Sequence, residues 1–361
     1  MQLRVPGPTP CPNEVLLAMS KQMVNHRGKE FGEINRQVTA GLKEVFQTKE
    51  DVLILTCAGT GGLEAAVVNS LSPGDKVLSL CNGVFAERFA NIAEQYGAEV
   101  KRLQFEWGKA VEPDKVRQAL RSDPAIKAVL VTHNETSTAV TSDLGAVSRV
   151  VKEFDKLLLV DAVSSLSSIN LPVDAWQCDV VVSASQKGWM IPPGLAMVSV
   201  SQRGWQAHKQ AKMPRFYLDF TRAKNYLERG QTPWTPAVSI YYALATALEL
   251  MKKEGLSNIF ARHARVGKAA REGVKSLGLS LFPDEAVASN TVTAVNVPDG
   301  IEASKLLQIM REEHGIVLAG GQQKLEGKIF RIGHLGWVNE SEIEEIIKVL
   351  RQALSKAGQK K

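Results

Sequence analysis

A lysine and an aspartate, Lys187 and Asp161, each come soon after a short apolar run. Asp161 follows Leu157–Val160, and a carboxylate at such a half-buried place is costly unless a cation or a hydrogen bond compensates it. Lys187 follows Val180–Ser183, where partial burial and a nearby positive charge favour the neutral amine that attacks carbonyl carbons. Taken alone, Asp161 is read more simply as the cap of the next turn and Lys187 as a surface lysine. Together they predict a site for an aldehyde whose aromatic ring contains a protonated nitrogen.

A glycine-rich segment, Cys57–Gly62, lies between the apolar run Val52–Thr56 and a helical pattern that starts at Leu63. Glycine lets the backbone approach a ligand closely, and the free N–H groups at the start of a helix bind phosphate well. Thr60 adds a hydroxyl group to this segment. For the segment alone, a glycine-rich turn without a ligand is an equal alternative to a phosphate site.

The elements that position these residues alternate between short apolar runs and helical patterns from about residue 50 to about residue 200. Nearly continuous apolar runs are typical of strands that are buried on both faces. The predicted strands are Val52–Thr56, Lys76–Leu80, Val100–Phe105, Ala128–Thr132, Leu157–Val160, Val180–Ser183 and Leu195–Val200. The predicted helices between them include Leu63–Leu71, Val84–Tyr96 and Leu144–Phe154. We therefore expect an α/β fold with a mostly parallel, seven-stranded sheet that binds ligands beyond the carboxyl ends of its strands.

A smaller α+β unit is predicted after this sheet, starting at the polar stretch that follows Glu254. The predicted strands of this unit are Thr291–Val297, Ile316–Ala319 and Lys328–Ile332, and its predicted helices are Ala303–His314 and Glu342–Ala357. A helix over Ala237–Lys253 is expected to join the two units. We expect an N-terminal arm over residues 1–15, a large ligand-binding domain over 16–253 and a small C-terminal domain over 254–361.

Charge and cysteine pattern narrow the classes of function. The 361 residues carry a net charge of +6 with acids and bases mixed, so we expect no nucleic-acid partner. The four cysteines lie far apart and form neither a metal-binding motif nor a disulfide framework. No apolar stretch is long enough to span a membrane, and we expect a cytoplasmic protein without a metal site or a membrane partner. The basic end, Lys356–Lys361, is predicted to be a solvated tail.

Motifs spread over nearly the whole chain resemble those of class V aminotransferases of the alanine–glyoxylate and serine–glyoxylate (serine–pyruvate) group. In chain order they are Pro6–Pro10, Asn25–Arg27, Gly59–Ala66, Asn82–Phe85, His133–Thr138, Asp161–Ser165, Ser185–Gly188 and Phe330–Gly333. Each motif is short, but the ordered set is specific. The resemblance implies fold-type I architecture, the cofactor pyridoxal 5'-phosphate (PLP) and amino-group transfer by a ping-pong mechanism. Alanine or serine is the implied donor, and glyoxylate or pyruvate is the implied acceptor.

The resemblance also implies a role for each candidate residue. Lys187 holds PLP as a Schiff base and then moves the substrate proton, while Asp161 pairs with the pyridine nitrogen. The implied cofactor contacts are Ala58, Gly59, Thr60 and Gln186 at the phosphate, Phe85 and Val163 on the ring faces, and Thr136 beside the ring. Arg331 binds the substrate α-carboxylate; without the resemblance it reads as a strand arginine paired with a surface acid. The implied assembly is a homodimer with shared active sites, in which Thr232 and Thr235 reach the phosphate of the other subunit.

Three alternatives stand beside the aminotransferase. A PLP-dependent lyase or desulfurase shares the cofactor, but desulfurases place a histidine where this chain has Phe85 and a reactive cysteine in a loop, and no cysteine follows Cys178. A dinucleotide-dependent oxidoreductase wants a third glycine or alanine where Glu64 stands. A non-enzymatic role in a larger complex finds no support in the sequence. Two positions also depart from many class V relatives: Phe85 replaces a tryptophan, and Ala58 replaces a hydroxyl residue.

Overall fold

The computed structural model describes residues 1–358, so residues 359–361 of the predicted basic tail lie outside the described part. The strands, numbered along the chain, are β1 (Gln2–Leu3), β2 (Asp51–Leu55), β3 (Lys76–Cys81), β4 (Glu99–Gln104), β5 (Ala128–Thr132), β6 (Asn134–Glu135), β7 (Val140–Thr141), β8 (Leu157–Asp161), β9 (Val180–Ala184), β10 (Ala196–Val200), β11 (Val292–Asn296), β12 (Ile316–Val317), β13 (Ala319–Gly320) and β14 (Ile329–Gly333). The α-helices are α1 (Asn13–Ala18), α2 (Lys29–Phe46), α3 (Gly59–Ser70), α4 (Val84–Gln95), α5 (Pro113–Ser122), α6 (Leu144–Glu153), α7 (Gln202–Gln210), α8 (Phe220–Leu227), α9 (Val238–Glu254), α10 (Leu256–Ser276), α11 (Ala303–Glu312) and α12 (Glu340–Ala357). Two short 3-10 helices cover Glu285–Val287 and Gln323–Leu325.

Seven strands form one sheet in the spatial order β2–β10–β9–β8–β5–β3–β4. Strand β10 runs antiparallel to both of its neighbours, and the other pairings are parallel. Strands β5, β8, β9 and β10 are buried along their whole length, because apolar cores cover both faces of the sheet. Each strand predicted from residues 52 to 200 belongs to this sheet, so the prediction of an α/β fold with a mostly parallel sheet is confirmed.

Helix α3 begins earlier than the sequence predicted, at Gly59 instead of Leu63. The glycine-rich segment therefore forms the first turn of this helix and not a separate loop. Its glycines allow close packing on the sheet: a Cβ at Gly62 would lie 2.7 Å from Val182 Cγ1 and 2.9 Å from the Cβ of Ala196. Clustered glycines are usually interpreted as a turn, but here the strands beneath the helix require them.

The polar stretch after Glu254, predicted only as the start of a second unit, forms the long helix α10. Its buried positions, among them Ile259, Val266 and Val274, recur at helical spacing. Gly255 separates α9 from α10 with a φ of +85°, a conformation that favours glycine. Charged residues on the outer face of α10 hid this periodicity in the sequence.

A second unit packs around its own apolar core beyond α9. Strands β11, β14 and β13 form an antiparallel sheet in that order, and α10, α11 and α12 pack around it. The strands and helices predicted here are present, with Ile316–Ala319 divided into β12 and β13. The division into residues 1–15, 16–253 and 254–361 stays a prediction.

The N-terminal arm connects the C-terminal unit to the loop that follows β9. Strand β1 pairs in parallel with β12, and the buried Arg4 forms an ion pair with Glu342 of α12. Further along, Thr9 donates its hydroxyl to the carbonyl oxygen of Lys187 at 2.9 Å. Residues 1–9 thus run from the second unit to the carboxyl edge of the large sheet.

No helix within residues 1–358 has the length and apolar character that crossing a membrane requires. The cytoplasmic location stays a prediction. In the same range, no group of three His, Cys, Asp or Glu side chains is arranged to hold a metal ion.

Candidate active site

Asp161 ends strand β8 at the carboxyl edge of the large sheet. It pairs in register with Thr132 at the end of β5 and with Val182 of β9, so the segments after these strands meet at one edge. Asp161 is 4% exposed, and one carboxylate oxygen accepts from the N–H of Val163 at 3.0 Å. Burial raises the pKa of Asp161 to about 6, and the charge of Lys187 opposes that rise. The aspartate therefore caps the next turn and also lies within electrostatic range of the lysine.

Lys187 lies in the turn after β9 and is 9% exposed. Its Nζ donates to the carbonyl oxygen of Pro6 at 2.6 Å. The arm passes so close that a Cβ at Gly7 would lie 2.7 Å from this nitrogen. Burial lowers the pKa of Lys187 to about 8, with Asp161 raising it and Arg331 lowering it further. A larger fraction of this amine is therefore neutral near pH 7 than in an exposed lysine.

The first turn of α3 presents backbone N–H groups without acceptors. Neither the N-cap residue Ala58 nor any other described residue accepts a hydrogen bond from the N–H groups of residues 59–61. Thr60 is exposed beside them, and Gln186 has a buried side-chain oxygen without a hydrogen-bond partner in the described chain. A helix start with free N–H groups and no acidic residue in its first turn suits a phosphate group.

The segment His133–Thr138, which follows β5, holds two further candidate residues. Thr136 is buried and donates its hydroxyl to Ser164 Oγ at 2.7 Å, in the turn after β8. The half-buried Phe85 lies in the first turn of α4, and its N–H donates to the carboxylate of Glu135 at 3.1 Å. One segment therefore contacts both the turn after Asp161 and the start of α4.

Arg331 lies on β14 of the C-terminal unit and is 5% exposed. It donates to three neutral acceptors, namely the carbonyl oxygens of Gly320 (3.0 Å) and Thr136 (3.2 Å) and Gln322 Oε1 (3.1 Å). Burial lowers the pKa of Arg331 to about 10, and the charge of Glu135 opposes this. Because its hydrogen-bond acceptors within residues 1–358 are all neutral, the guanidinium keeps an unneutralised charge that an anion can use.

Over nearly its whole length the chain is similar to proteins of one family. The family Aminotransferase class-V matches residues 3–336. The chain belongs to the class V aminotransferases. It is 46% identical over 99% of its length to the soluble hydrogenase small subunit of Synechococcus sp. (strain PCC 6716), of which 93% is covered. It is 37% identical over 94% of its length to the serine–glyoxylate aminotransferase of Methylorubrum extorquens, of which 87% is covered. The crystal structure of an alanine–glyoxylate aminotransferase from Nostoc sp. gives a TM-score of 0.94 at 32% identity, covering 98% of this chain and 94% of that one.

Class V aminotransferases use PLP, and this protein is a PLP-dependent aminotransferase with fold-type I architecture. The residues at the sheet edge fit this cofactor. Residues 59–61 offer free N–H groups to a phosphate, Asp161 offers a buried carboxylate, and Lys187 offers a buried amine. These relatives give no support to the alternatives of a lyase or desulfurase and of a dinucleotide-dependent oxidoreductase.

Gly59→Ala is expected to weaken PLP binding by about tenfold, because an added Cβ would lie 3.0 Å from the Cβ of Ala184 and 3.1 Å from Val163 Cγ2. The first turn of α3 would have to shift away from the sheet. Titration of the apoenzyme with PLP, followed by visible absorption, measures the dissociation constant. Gly32→Ala in α2 is the matched control, since its nearest neighbour, an Arg36 nitrogen, lies 3.4 Å away. Equal affinities in the two variants would argue against a phosphate site at α3.

Thr232 and Thr235 make no hydrogen bond with the other candidate residues of the described chain. Thr232 is buried and donates its hydroxyl to the carbonyl oxygen of Trp234 at 2.8 Å, whereas Thr235 is exposed. Arg27 holds the segment by donating to Thr232 O at 2.6 Å. The contact with the phosphate of another subunit needs a second chain and stays a prediction.

Two features of the site were not predicted from the sequence. Pro6 and Gly7 approach Lys187 through backbone atoms, and no side-chain pattern reveals such a contact. Glu135 was interpreted only as part of a motif. A signal was available for it, because an acid close after a buried strand calls for compensation in the same way as Asp161 does.

Proposed function

We propose that the enzyme transfers the amino group of a small amino acid, alanine or serine, to a small 2-oxo acid, glyoxylate or pyruvate. The observation that carries this proposal is the buried guanidinium of Arg331, whose hydrogen-bond acceptors within residues 1–358 are all neutral, so that its charge is available to a carboxylate. Amino acids and 2-oxo acids both carry a carboxylate on the reacting carbon, so one arginine can bind the substrates of both half-reactions. Relatives named for serine or alanine with glyoxylate support the choice of substrates.

Lys187 is the proposed base and acid of the reaction. When bound, PLP supplies an electron sink that makes the C–H bond beside the substrate nitrogen acidic. Lys187 would remove this proton and return it to the carbon of the cofactor that is joined to the substrate nitrogen. A pKa of about 8 suits both tasks, since part of the amine is neutral and its conjugate acid still gives up the proton. Asp161 is the proposed partner of the ring nitrogen, and a cation there offsets the cost of burying its charge.

The other proposed cofactor contacts surround this pair. Backbone N–H groups and polar side chains suit a phosphate, while apolar side chains suit the two faces of a ring. The proposed contacts are Ala58, Gly59, Thr60 and Gln186 for the phosphate, Phe85 and Val163 for the ring faces, and Thr136 for the ring edge.

A panel of amino donors and 2-oxo acids tests the proposal. Alanine or serine with glyoxylate or pyruvate should give the highest kcat/KM. Varying both substrates should give parallel double-reciprocal lines, as expected when the first product leaves before the second substrate binds. Repeated turnover of an amino acid without any 2-oxo acid would instead identify a lyase.

Arg331→Gln is expected to raise KM about 100-fold for the amino acid and for the oxo acid alike, with a much smaller change in kcat. The variant keeps a polar side chain but loses the charge and the two-pronged contact. Steady-state kinetics of both half-reactions measure the effect. Gln322→Ala is the control, because it removes only one acceptor of Arg331 and leaves the guanidinium in place. A KM change for one substrate alone would contradict a shared carboxylate site.

The proposed assembly is a homodimer with shared active sites. Large apolar side chains are exposed in the single chain, including Leu17 (70%), Phe216 (65%) and Met23 (54%). Exposed apolar side chains that cluster are typical of a surface that another protein covers. Phe216 stacks on Trp234 with ring centroids 5.1 Å apart, within the neighbourhood of the 232–235 segment. These observations support an interface that includes the two threonines.

Phe216→Asp is expected to shift the enzyme from dimer to monomer, because a charged side chain that must lose its water replaces a large apolar contact in the proposed interface. Light scattering measures the mass, and PLP titration measures cofactor affinity in the same samples. If the sites are shared, the monomeric variant should bind PLP about tenfold more weakly or worse. A wild-type enzyme that is monomeric and fully active would contradict the proposed homodimer with shared active sites.

A further inference from the structure

Helix α4 starts without a capping side chain of its own. Its N-cap residue is Gly83. The N–H of Val84 donates to Ser137 Oγ at 3.0 Å. The N–H groups of residues 85–86 donate to one carboxylate oxygen of Glu135 at 3.1 Å and 3.0 Å. The free N–H groups of this helix start are therefore satisfied by a segment 50 residues further along the chain.

Glu135 is fully buried, and its carboxylate is saturated with donors. The second oxygen accepts from the N–H and the hydroxyl of Ser137 at 3.0 Å and 2.5 Å. Each oxygen thus accepts two hydrogen bonds, which matches the acceptor capacity of an ionised carboxylate. Burial raises the pKa of Glu135, and the hydrogen bonds from Ser137 and from the start of α4 lower it. The negative end of this side chain also suits the positive end of the helix dipole.

Glycine at position 83 makes this close approach sterically feasible. A Cβ on Gly83 would lie 2.3 Å from the Cγ of Glu135 and 2.6 Å from Ser137 Oγ. Any larger residue would push the carboxylate away from the helix. The close contact between Glu135 and α4 therefore depends on the absence of a side chain at position 83.

Unlike an ordinary helix cap, Glu135 is also connected to other candidate residues of the site, through its neighbour Thr136 and through its charge. The next residue, Thr136, accepts from Arg331 Nη1 at 3.2 Å through its carbonyl oxygen and donates its hydroxyl to Ser164. The charge of Glu135 raises the pKa of Asp161. A displacement of Glu135 would therefore first displace residues 85–86, which donate hydrogen bonds to it. It would then alter the contacts of Thr136 at the edge of the sheet.

We propose that Glu135 is the positioning residue that fixes the Phe85 ring against the cofactor ring. The inference rests on the proposed function, in which Phe85 covers one face of PLP. Hydrogen bonds to residues 85–86 fix the main chain at Phe85, and the direction of its Cα–Cβ bond follows from the main chain. Glu135 therefore acts on the cofactor through Phe85 and does not touch the reacting atoms.

Glu135→Ala is expected to weaken PLP binding at least about tenfold and to reduce the visible circular dichroism of the bound cofactor, because the N–H groups of residues 85–86 lose their acceptor and the ring is no longer held. Glu135→Gln should recover part of both signals. Its amide oxygen still accepts from residues 85–86, while its NH₂ group faces the N–H of Ser137 unfavourably. Titration of each apoenzyme with PLP gives the dissociation constant.

Asp179→Asn is the matched control. Asp179 is another buried carboxylate (3% exposed) that accepts a backbone N–H, that of Leu158, at 2.7 Å. It also pairs with Lys152, and it precedes β9 at the opposite edge of the sheet. Thermal midpoints should fall in both the Glu135 and the Asp179 variants. Cofactor affinity and dichroism should change only in the former.

A double-mutant cycle separates positioning from general stability. In a Phe85→Ala background, Glu135→Ala should change the PLP dissociation constant by less than about twofold, since the ring that Glu135 positions is absent. Additive losses in the cycle, or a Glu135→Ala enzyme with wild-type affinity and dichroism, would overturn the inference while leaving the aminotransferase intact. If Glu135→Ala does not fold, the double-mutant cycle is made with Glu135→Gln and judged by the same criteria. A wild-type apoenzyme that fails to bind PLP at all would instead overturn the proposed function.

Discussion

Lys187→Ala is expected to lower kcat by at least about 10⁴-fold, because the enzyme loses the amine that is proposed to attach the cofactor and to move the substrate proton. After borohydride reduction, mass spectrometry should find the cofactor on the peptide that contains Lys187 in the wild type and on no peptide of the variant. The fold should survive, since this side chain makes one hydrogen bond within residues 1–358, to the carbonyl oxygen of Pro6. Removing a buried amine also removes a desolvation cost.

Lys187→Arg serves as the control that separates the amine from its positive charge. A guanidinium stays protonated and neither attaches the cofactor nor accepts the proton, so this variant should be as inactive as Lys187→Ala. Added methylamine should restore part of the activity of Lys187→Ala, where space for a small base remains, but not of Lys187→Arg. Activity within tenfold of the wild type in either variant would assign the proton transfer to another group.

Asp161→Asn is expected to lower kcat by about 10²- to 10³-fold with a much smaller loss of cofactor affinity. Asparagine has nearly the same shape, and its amide oxygen can still accept from the N–H of Val163, so the turn after β8 is kept. The neutral amide does not hold the ring nitrogen in its protonated form. Stopped-flow absorbance with a single amino donor measures the half-reaction directly.

A PLP analogue methylated at the ring nitrogen provides the control for Asp161, because its positive charge is permanent. This analogue should restore much of the half-reaction rate in Asp161→Asn relative to the same variant with PLP. Failure of the analogue, combined with an Asp161→Asn enzyme that keeps full activity on PLP, would place the essential carboxylate elsewhere.

Asp161→Asn should lower activity, but it should raise the stability of the apoenzyme at high pH. Burial raises the folded-state pKa of this carboxyl to about 6, above its ordinary value of 3.8. The folded chain therefore holds this proton more tightly than the unfolded chain, and the resulting stability is present below pH 4 and lost as the pH rises through about 6. Asp161→Asn has no such loss, so its apoenzyme should melt above the wild-type apoenzyme at pH 8 but not at pH 4.

The large sheet could be predicted because burial on both faces leaves unbroken apolar runs such as Val180–Ala184. Helix α2 was missed for the opposite reason. Only one stripe of it, including Phe31, Val38 and Leu42, is buried, and the charged residues between them conceal the period. The start of α3 was misplaced because the glycines at 59–62 meet a packing demand from strands that are distant in sequence.

Side chains of the site could be predicted where they follow a strand directly, as Asp161 does, or stand a few residues beyond one, as Lys187 does. The carbonyl oxygen of Pro6 could not be predicted, because a main-chain contact of this kind has no sequence signature. For the N–H groups of residues 59–61, the glycines predicted a phosphate site only as an equal alternative to a turn without a ligand. Arg331 was predicted only through the family resemblance, because its distance from β9 along the chain says nothing about their proximity in space.

The N-terminal arm has a consequence for the order in which this enzyme folds. Strand β1 pairs with β12, and Arg4 meets Glu342, a residue 338 positions later. Contacts between residues so far apart in the sequence form slowly, because a long loop must close first. Pro6 and Gly7 lie on the same arm and pack against Lys187. A chain whose arm has not yet docked therefore lacks the carbonyl acceptor beside this amine, and we expect the surroundings of Lys187 to be completed late in folding.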